Sequence, residues 1–200
     1  MSLVSSIVDT IGRRAALLGG CAVLLAGLVA PAQAATERVR LKTSAGDIVV
    51  ELDRAKAPKT VDNFVAYVKA GQYDGTIFHR VIPNFMIQGG GMSKDMSEKP
   101  TKAPIALESR NGLVNQRGTI AMARTADPNS ATAQFFLNLK DNAFLDQANA
   151  RDGQGYAVFG KIVSGMEVVD KIAAVPTTSK GMHQNVPVEP VVILKASMEK

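Results

Sequence analysis

From residue 38 the chain alternates. Val39, Leu41 and Thr43 interleave with Arg38, Arg40 and Lys42. Ser44-Ala45-Gly46 interrupts, and Ile48, Val50 and Leu52 then alternate with Asp47 and Glu51, Val49 alone spoiling the polar side. A period of two with charge on one side predicts a β-hairpin with one buried face. The period then changes. Val61, Phe64, Val65 and Val68 fall at i, i+3, i+4, i+7, with Pro58 ahead of them and Gly71 just beyond. That pattern predicts a helix over 58–70. Short runs rich in β-branched and aromatic residues predict strands at 76–82, 85–88, 118–123, 134–139, 158–163 and 191–198. Val168, Val169 and Ile172 mark a second helix over 166–173. Residues 90–117, with Pro100 and Pro104, lack periodicity and read as a long functional or mobile loop. Many short strands, two separated helices and no regular βαβ alternation predict a mainly β barrel closed at its ends by helices.

Residues 1–34 follow a different logic. Arg13 and Arg14 precede an uncharged apolar run over 15–30, Pro31 breaks it, and Ala32-Gln33-Ala34 fits a small-x-small cleavage site. This reads as a cleavable export signal. As a membrane anchor the run falls short of the roughly 20 residues that span hydrocarbon. Leu18-Gly19-Gly20-Cys21 loosely matches a lipoprotein box, but an apolar stretch follows Cys21, so a small hydrophobe within the signal suits it better. The arginine pair leaves export by the Sec or the twin-arginine route open. The domain expected after cleavage is 35–200, exported, monomeric and without a stable membrane anchor.

Composition then narrows the chemistry. Of 23 basic and 18 acidic residues, 21 and 17 lie beyond residue 34, a net charge of +4. The basic residues are scattered, which speaks against nucleic acid as a partner. Cys21 is the single cysteine and His79 and His183 the only histidines. No disulfide, metal or cofactor is therefore expected. No G-x-S-x-G occurs, and Gly89-Gly90-Gly91 is not followed by the Gly-Lys-Ser/Thr of a phosphate loop.

What remains is three strands bearing Phe78-His79-Arg80, Phe85-Met86-Ile87-Gln88 and Gln134-Phe135-Phe136. By a period of two, Phe78 and Arg80 share a face, as do Phe85 and Ile87, with Met86 and Gln88 on the opposite one. Arg, Gln, Met and Phe on one wall suggest an apolar groove with a few fixed donors, suited to a peptide. The same Phe and Met residues would also suit a plain core, and His79 a satisfied buried imidazole without a catalytic role. Spacing alone leaves these readings open.

The run Phe78-His79-Arg80-Val81-Ile82-Pro83-Asn84-Phe85-Met86-Ile87-Gln88-Gly89-Gly90 resembles the signature of the cyclophilins, the peptidyl-prolyl cis-trans isomerases. Pro58-Lys59-Thr60-Val61-Asp62-Asn63-Phe64, Ala121-Met122-Ala123-Arg124, Gln134-Phe135-Phe136 and Val158-Phe159-Gly160-Lys161 follow the family's order. The spacing and the export signal are most similar to the bacterial periplasmic members. The resemblance implies a closed eight-stranded antiparallel barrel capped by two helices. It implies that Arg80 is catalytic and that Phe85, Met86, Phe136 and Leu145 line a pocket for the substrate's proline ring. It further implies that Gln88, Ala123, Arg124 and Gln134 hold the peptide backbone, and that proline-containing segments of unfolded or exported proteins are the partners. Phe144 and Tyr156 belong to the same binding surface but depart from the family, standing where many members have Trp and His. Losing the indole N–H, which in the family contacts cyclosporin, leads us to expect weak cyclosporin binding. Arg124-Thr125 replaces a common Asn-Ala, so substrate preference is open. Rival readings are a non-catalytic chaperone that only binds proline segments, and a hollow small-ligand carrier.

Overall fold

The computed structural model describes residues 37–199. The export signal expected over 1–34 lies outside them. Strands β1 (Arg38–Thr43) and β2 (Gly46–Leu52) form the expected hairpin. Val39 pairs with Val50 and Leu41 with Ile48 on the buried side, while Arg38 opposes Glu51 outside. The turn is tied by Thr43, whose hydroxyl donates to the Gly46 carbonyl at 2.6 Å and accepts from the Ala45 N–H at 3.1 Å.

Helix α1 (Pro58–Lys69) buries Val61, Phe64, Val65 and Val68, the four residues that define its stripe. No side chain at its own N-cap satisfies the first turn. Glu108, from the long loop, does so. Its carboxylate accepts from the N–H groups of Lys59 (3.1 Å) and Thr60 (2.8 Å) and from the Thr60 hydroxyl (2.7 Å). An acid at a helix N-terminus meets both the orphan donors and the positive end of the helix dipole. The loop is also pinned by Lys99, whose ammonium donates to the Gln72 carbonyl at 2.6 Å.

The remaining elements are β3 (Phe78–Ile82), β4 (Met86–Gly89), β5 (Thr119–Met122), β6 (Phe135–Asn138), β7 (Val158–Ser164), α2 (Met166–Ala173), β8 (Thr177–Lys180), β9 (His183–Pro187) and β10 (Ile193–Met198). Eight strands make one antiparallel sheet, in the order β10-β1-β2-β7-β5-β6-β4-β3. It curls until its outer strands approach through a single bridge at Ile77 and Val192. There the Phe78 N–H donates to the Val191 carbonyl at 3.0 Å and the Ile193 N–H to the Thr76 carbonyl at 2.8 Å. The protein is thus mainly β with two helices, a curled eight-stranded sheet whose edges touch by a bridge rather than a ladder.

Inside the curl, Phe64 packs on Tyr73, Phe135 and Phe159 with ring centroids 5.1–5.6 Å apart. Val169 and Ile172 of α2 join the same core. These rings occupy the interior that a ligand carrier would need empty. The β8–β9 hairpin was not expected. β8 is exposed almost throughout and carries no apolar alternation, so its sequence gives no strand signal, although β9 packs against β3.

Candidate active site

Strands β5, β6 and β7 carry apolar residues on both faces. Ile120, Phe135, Leu137 and Phe159 point into the main core, whereas Ala121, Phe136 and Val158 join Met86 and Leu145 in a second, outer cluster. Ile82, Phe85, Leu113, Ala123 and Tyr156 pack around it, half exposed. The result is an apolar hollow on the outside of the sheet. Register aligns its polar border. Arg80 pairs with Gln88, Gln88 with Phe136, Phe136 with Ala121 and Ala121 with Val158, one row crossing five strands.

That row requires a break in β3. Phe78 pairs with Gly89 and Arg80 with Gln88, so His79 is an extra residue in the ladder. A bulge of this kind advances the strand by one residue and swaps faces. Phe78 consequently lies in the main core, fully buried, and Arg80 is exposed on the outer face. The expectation that they share a face is therefore corrected. So is the pairing of Phe85 with Ile87: Ile87 faces the core, while Phe85 precedes β4 in a tight turn and packs with Met86 outside. Asn84, at φ 56°, supplies the left-handed residue of that turn.

Arg80 makes no ion pair among the described residues. Its Nη1 lies 3.4 Å from Gln88 Oε1, and the Gln88 amide donates to Gln134 Oε1 at 2.9 Å. Gln134 is held from behind by Gly91, at which a Cβ would lie 2.5 Å from its Cγ. His79 is buried. Burial, with His183 and Arg80 nearby, pushes its pKa down to about 4, so it is neutral at pH 7. Its Nδ1 has no hydrogen-bond partner among the described residues.

The opposite rim is aromatic. Phe144, 56% exposed, stacks on Phe85 with centroids 5.6 Å apart and planes at 27°. Leu145 sits at the end of a 3-10 turn, Ala143–Leu145. Tyr156 meets Phe136 edge-on at 5.6 Å and 82°. Ala123 is fixed by its N–H, which donates to the Gln134 carbonyl at 2.9 Å. Arg124 is placed differently from the other expected site residues. Its side chain is only 2% exposed, and its guanidinium is engaged with Gly155, Thr125 and Asp152. The structure directs it into the 152–156 loop, so a grip on a peptide backbone through this guanidinium is not what the geometry provides.

Sequence reasoning missed the polar support of this rim. Asn142 donates its amide to the Phe85 carbonyl at 2.9 Å and to Asn138 Oδ1 at 2.8 Å, and Asn138 donates to Asn115 Oδ1 at 3.2 Å. All three are buried. The one available signal was an Asn inside the otherwise apolar run Phe135-Phe136-Leu137-Asn138. A separate cleft of about 580 Å³, lined by Lys56, Leu107, Glu108, Arg110, Pro128 and Asn129 among others, shares no residue with the hollow.

No cluster of three potential metal ligands occurs among the described residues. What the hollow offers is a buried apolar floor, two amide side chains and, at the edge, one guanidinium that no carboxylate among the described residues neutralises. Such a site can hold a neutral apolar ring and donate a charge-assisted hydrogen bond beside it.

Comparison with known proteins identifies the family. Residues 38–198 match the family model of the cyclophilin type peptidyl-prolyl cis-trans isomerase/CLD. A peptidyl-prolyl cis-trans isomerase of Acinetobacter baylyi is 55% identical over 184 residues, 92% of this chain and 97% of the relative. Peptidyl-prolyl cis-trans isomerase A of Dickeya dadantii is 59% identical over 172 residues, covering 85% and 90%. Among structures, the Cryptosporidium parvum cyclophilin type isomerase in the presence of the dipeptide Ala-Pro is similar at a TM-score of 0.67. It is 27% identical and covers 82% of this chain and 99% of that one.

Proposed function

The chain belongs to the cyclophilin-type peptidyl-prolyl cis-trans isomerases, and on that premise we propose that Arg80 drives rotation of X–Pro bonds held in the outer hollow. The X–Pro bond is a tertiary amide, and its rotation crosses a barrier of about 18–20 kcal/mol in tens to hundreds of seconds unaided. At the twisted midpoint the prolyl nitrogen loses conjugation and regains a lone pair. The guanidinium of Arg80 donates to it. A hydrogen bond from a charged group contributes roughly 1.5–3 kcal/mol, and more when the donor is already aimed where charge develops. Phe85, Met86, Phe136 and Leu145 hold the proline ring, while Gln88, Gln134 and Ala123 meet the peptide backbone. A dry floor favours the twisted amide, which is less polar than the planar one. No covalent bond is made or broken, so the reaction needs no nucleophile.

The observation that carries this reading is the Arg80 guanidinium, without an ion pair among the described residues and in register with Gln88 and Phe136 at the edge of an apolar cluster. Exchange spectroscopy on an Ala-Pro tetrapeptide tests it. Wild type accelerates cis–trans exchange, and Arg80→Ala removes most of the acceleration. Full retention in the variant rejects the role of Arg80, and binding without acceleration in wild type leaves only the chaperone reading.

We further read the sheet as a closed barrel, on the bonds that join Phe78 to Val191 and Ile193 to Thr76. The signal-like residues 1–34 support export to the periplasm, where the clients are proline-containing segments of exported proteins. Mass spectrometry of the exported chain finding Ala35 as the first residue is the expected result.

A further inference from the structure

The Arg124 side chain is nearly inaccessible, and all three of its guanidinium nitrogens are in use. Nε donates to the Gly155 carbonyl at 2.9 Å, Nη1 to the Thr125 carbonyl at 2.9 Å, and Nη2 pairs with the Asp152 carboxylate. The guanidinium lies over the Tyr156 ring, 4.6 Å from its centroid. The same ring meets Phe136 edge-on. Tyr156 is thus fixed between a cation and the floor of the hollow.

We propose that Arg124 is a positioning residue, which with Asp152 as its counter-ion presets Tyr156 as one wall of the pocket before peptide arrives. The inference rests on the reading of the hollow as the proline site. Asp152 organises the loop as well as neutralising the cation: it accepts from the N–H groups of Gln154 (2.9 Å) and Gly155 (3.2 Å). Gly155, at φ +65°, passes so near the neighbouring turn that a Cβ would lie 2.6 Å from Gln147 N and 2.7 Å from the Leu145 carbonyl. The Tyr156 N–H donates to that carbonyl at 3.0 Å. The Arg124 brace therefore ties Tyr156 and Leu145, two walls of the hollow, into one unit. A side chain ordered in advance loses no freedom on binding. Removing the brace weakens peptide affinity but leaves the rotation step intact, because Arg80, Gln88 and Gln134 are not part of it.

Asp152→Asn and Arg124→Lys separate this from direct contact between Arg124 and the peptide. Both are titrated with an Ala-Pro tetrapeptide by NMR, reading Kd, the exchange rate of the bound peptide and the Tyr156 ring resonances. Both variants are expected to raise Kd about three- to tenfold, keep bound-state exchange within about twofold of wild type, and move the Tyr156 resonances toward those of free tyrosine. If Asp152→Asn leaves Kd unchanged or tightens it, the guanidinium contacts peptide and the proposal fails; unmoved Tyr156 resonances overturn it equally. Asp152 is exposed, so its variant decides the matter even if Arg124→Lys does not fold. Wild type without accelerated exchange would instead reject the role of Arg80, while Kd and the ring shifts still report on the brace.

Discussion

Arg80 and Gln88 face each other across β3 and β4, with Nη1 of the first 3.4 Å from Oε1 of the second. The contact is long for a hydrogen bond, and no carboxylate competes for the guanidinium among the described residues. Gln88 is oriented in turn by its 2.9 Å bond to Gln134. A cation guided by a neutral amide keeps its full charge for a ligand.

Arg80→Ala should therefore lower kcat/KM by roughly 10- to 150-fold, the equivalent of one charge-assisted hydrogen bond. Arg80→Lys should recover part of that loss. Proline-limited refolding of a test protein measures both.

Gly91→Ala reaches the same site from behind. The added methyl would stand 2.5 Å from Gln134 Cγ and 2.7 Å from its Cδ, displacing the amide that orients Gln88. Turnover should fall several-fold. Overpacking of this type costs about 1–3 kcal/mol of stability, readable from the urea midpoint.

His79 predicts how stability responds to acid. Its pKa is about 4 in the folded protein against an ordinary 6.5, so the unfolded chain binds the proton more readily. The stabilisation is complete above about pH 6.5 and is lost as pH falls through 4, amounting to about 3 kcal/mol. Glu51, whose pKa is lowered chiefly by its bond to Arg38, and Asp74, in which burial is outweighed by the bonds from Lys195 and the Ala196 N–H, also lose their contributions as pH falls. Urea titrations between pH 6.5 and 4.5 should show a falling midpoint that His79→Phe flattens. Because the polar side chains proposed for the reaction are a guanidinium and two amides, with no carboxylate, imidazole or thiol among them, isomerase activity should remain nearly constant from about pH 6 to 9.

Phe144→Trp adds an indole N–H at an exposed ring already stacked on Phe85. Cyclosporin affinity should rise several-fold, up to about tenfold, the range of one neutral hydrogen bond. Calorimetric titration of both proteins checks it.

Local pattern alone determined much of this protein. The β1–β2 hairpin, α1 from Pro58 with Val61, Phe64, Val65 and Val68 buried, and α2 were legible because each buries one face and a buried face imposes its period on neighbouring residues, whereas β5 and β6, buried on both faces, were legible as short apolar runs. The apolar residues Met86 and Phe136 were legible too, since they belong to two runs that resemble the family's motifs. Other features depend on partners distant in sequence. The bulge at His79 exists only relative to β4, and it reverses the face of Arg80. Glu108 caps α1 from 48 or more residues away. Polar β8–β9 is held by packing on β3 and carries no period of its own. The direction of Arg124 was set by the Gly155 carbonyl and the Asp152 carboxylate of the 152–156 loop, with the Thr125 carbonyl beside it. Period reports which residues are alike along one strand; register, bulges and the competition for a charged group are decided only when strands meet.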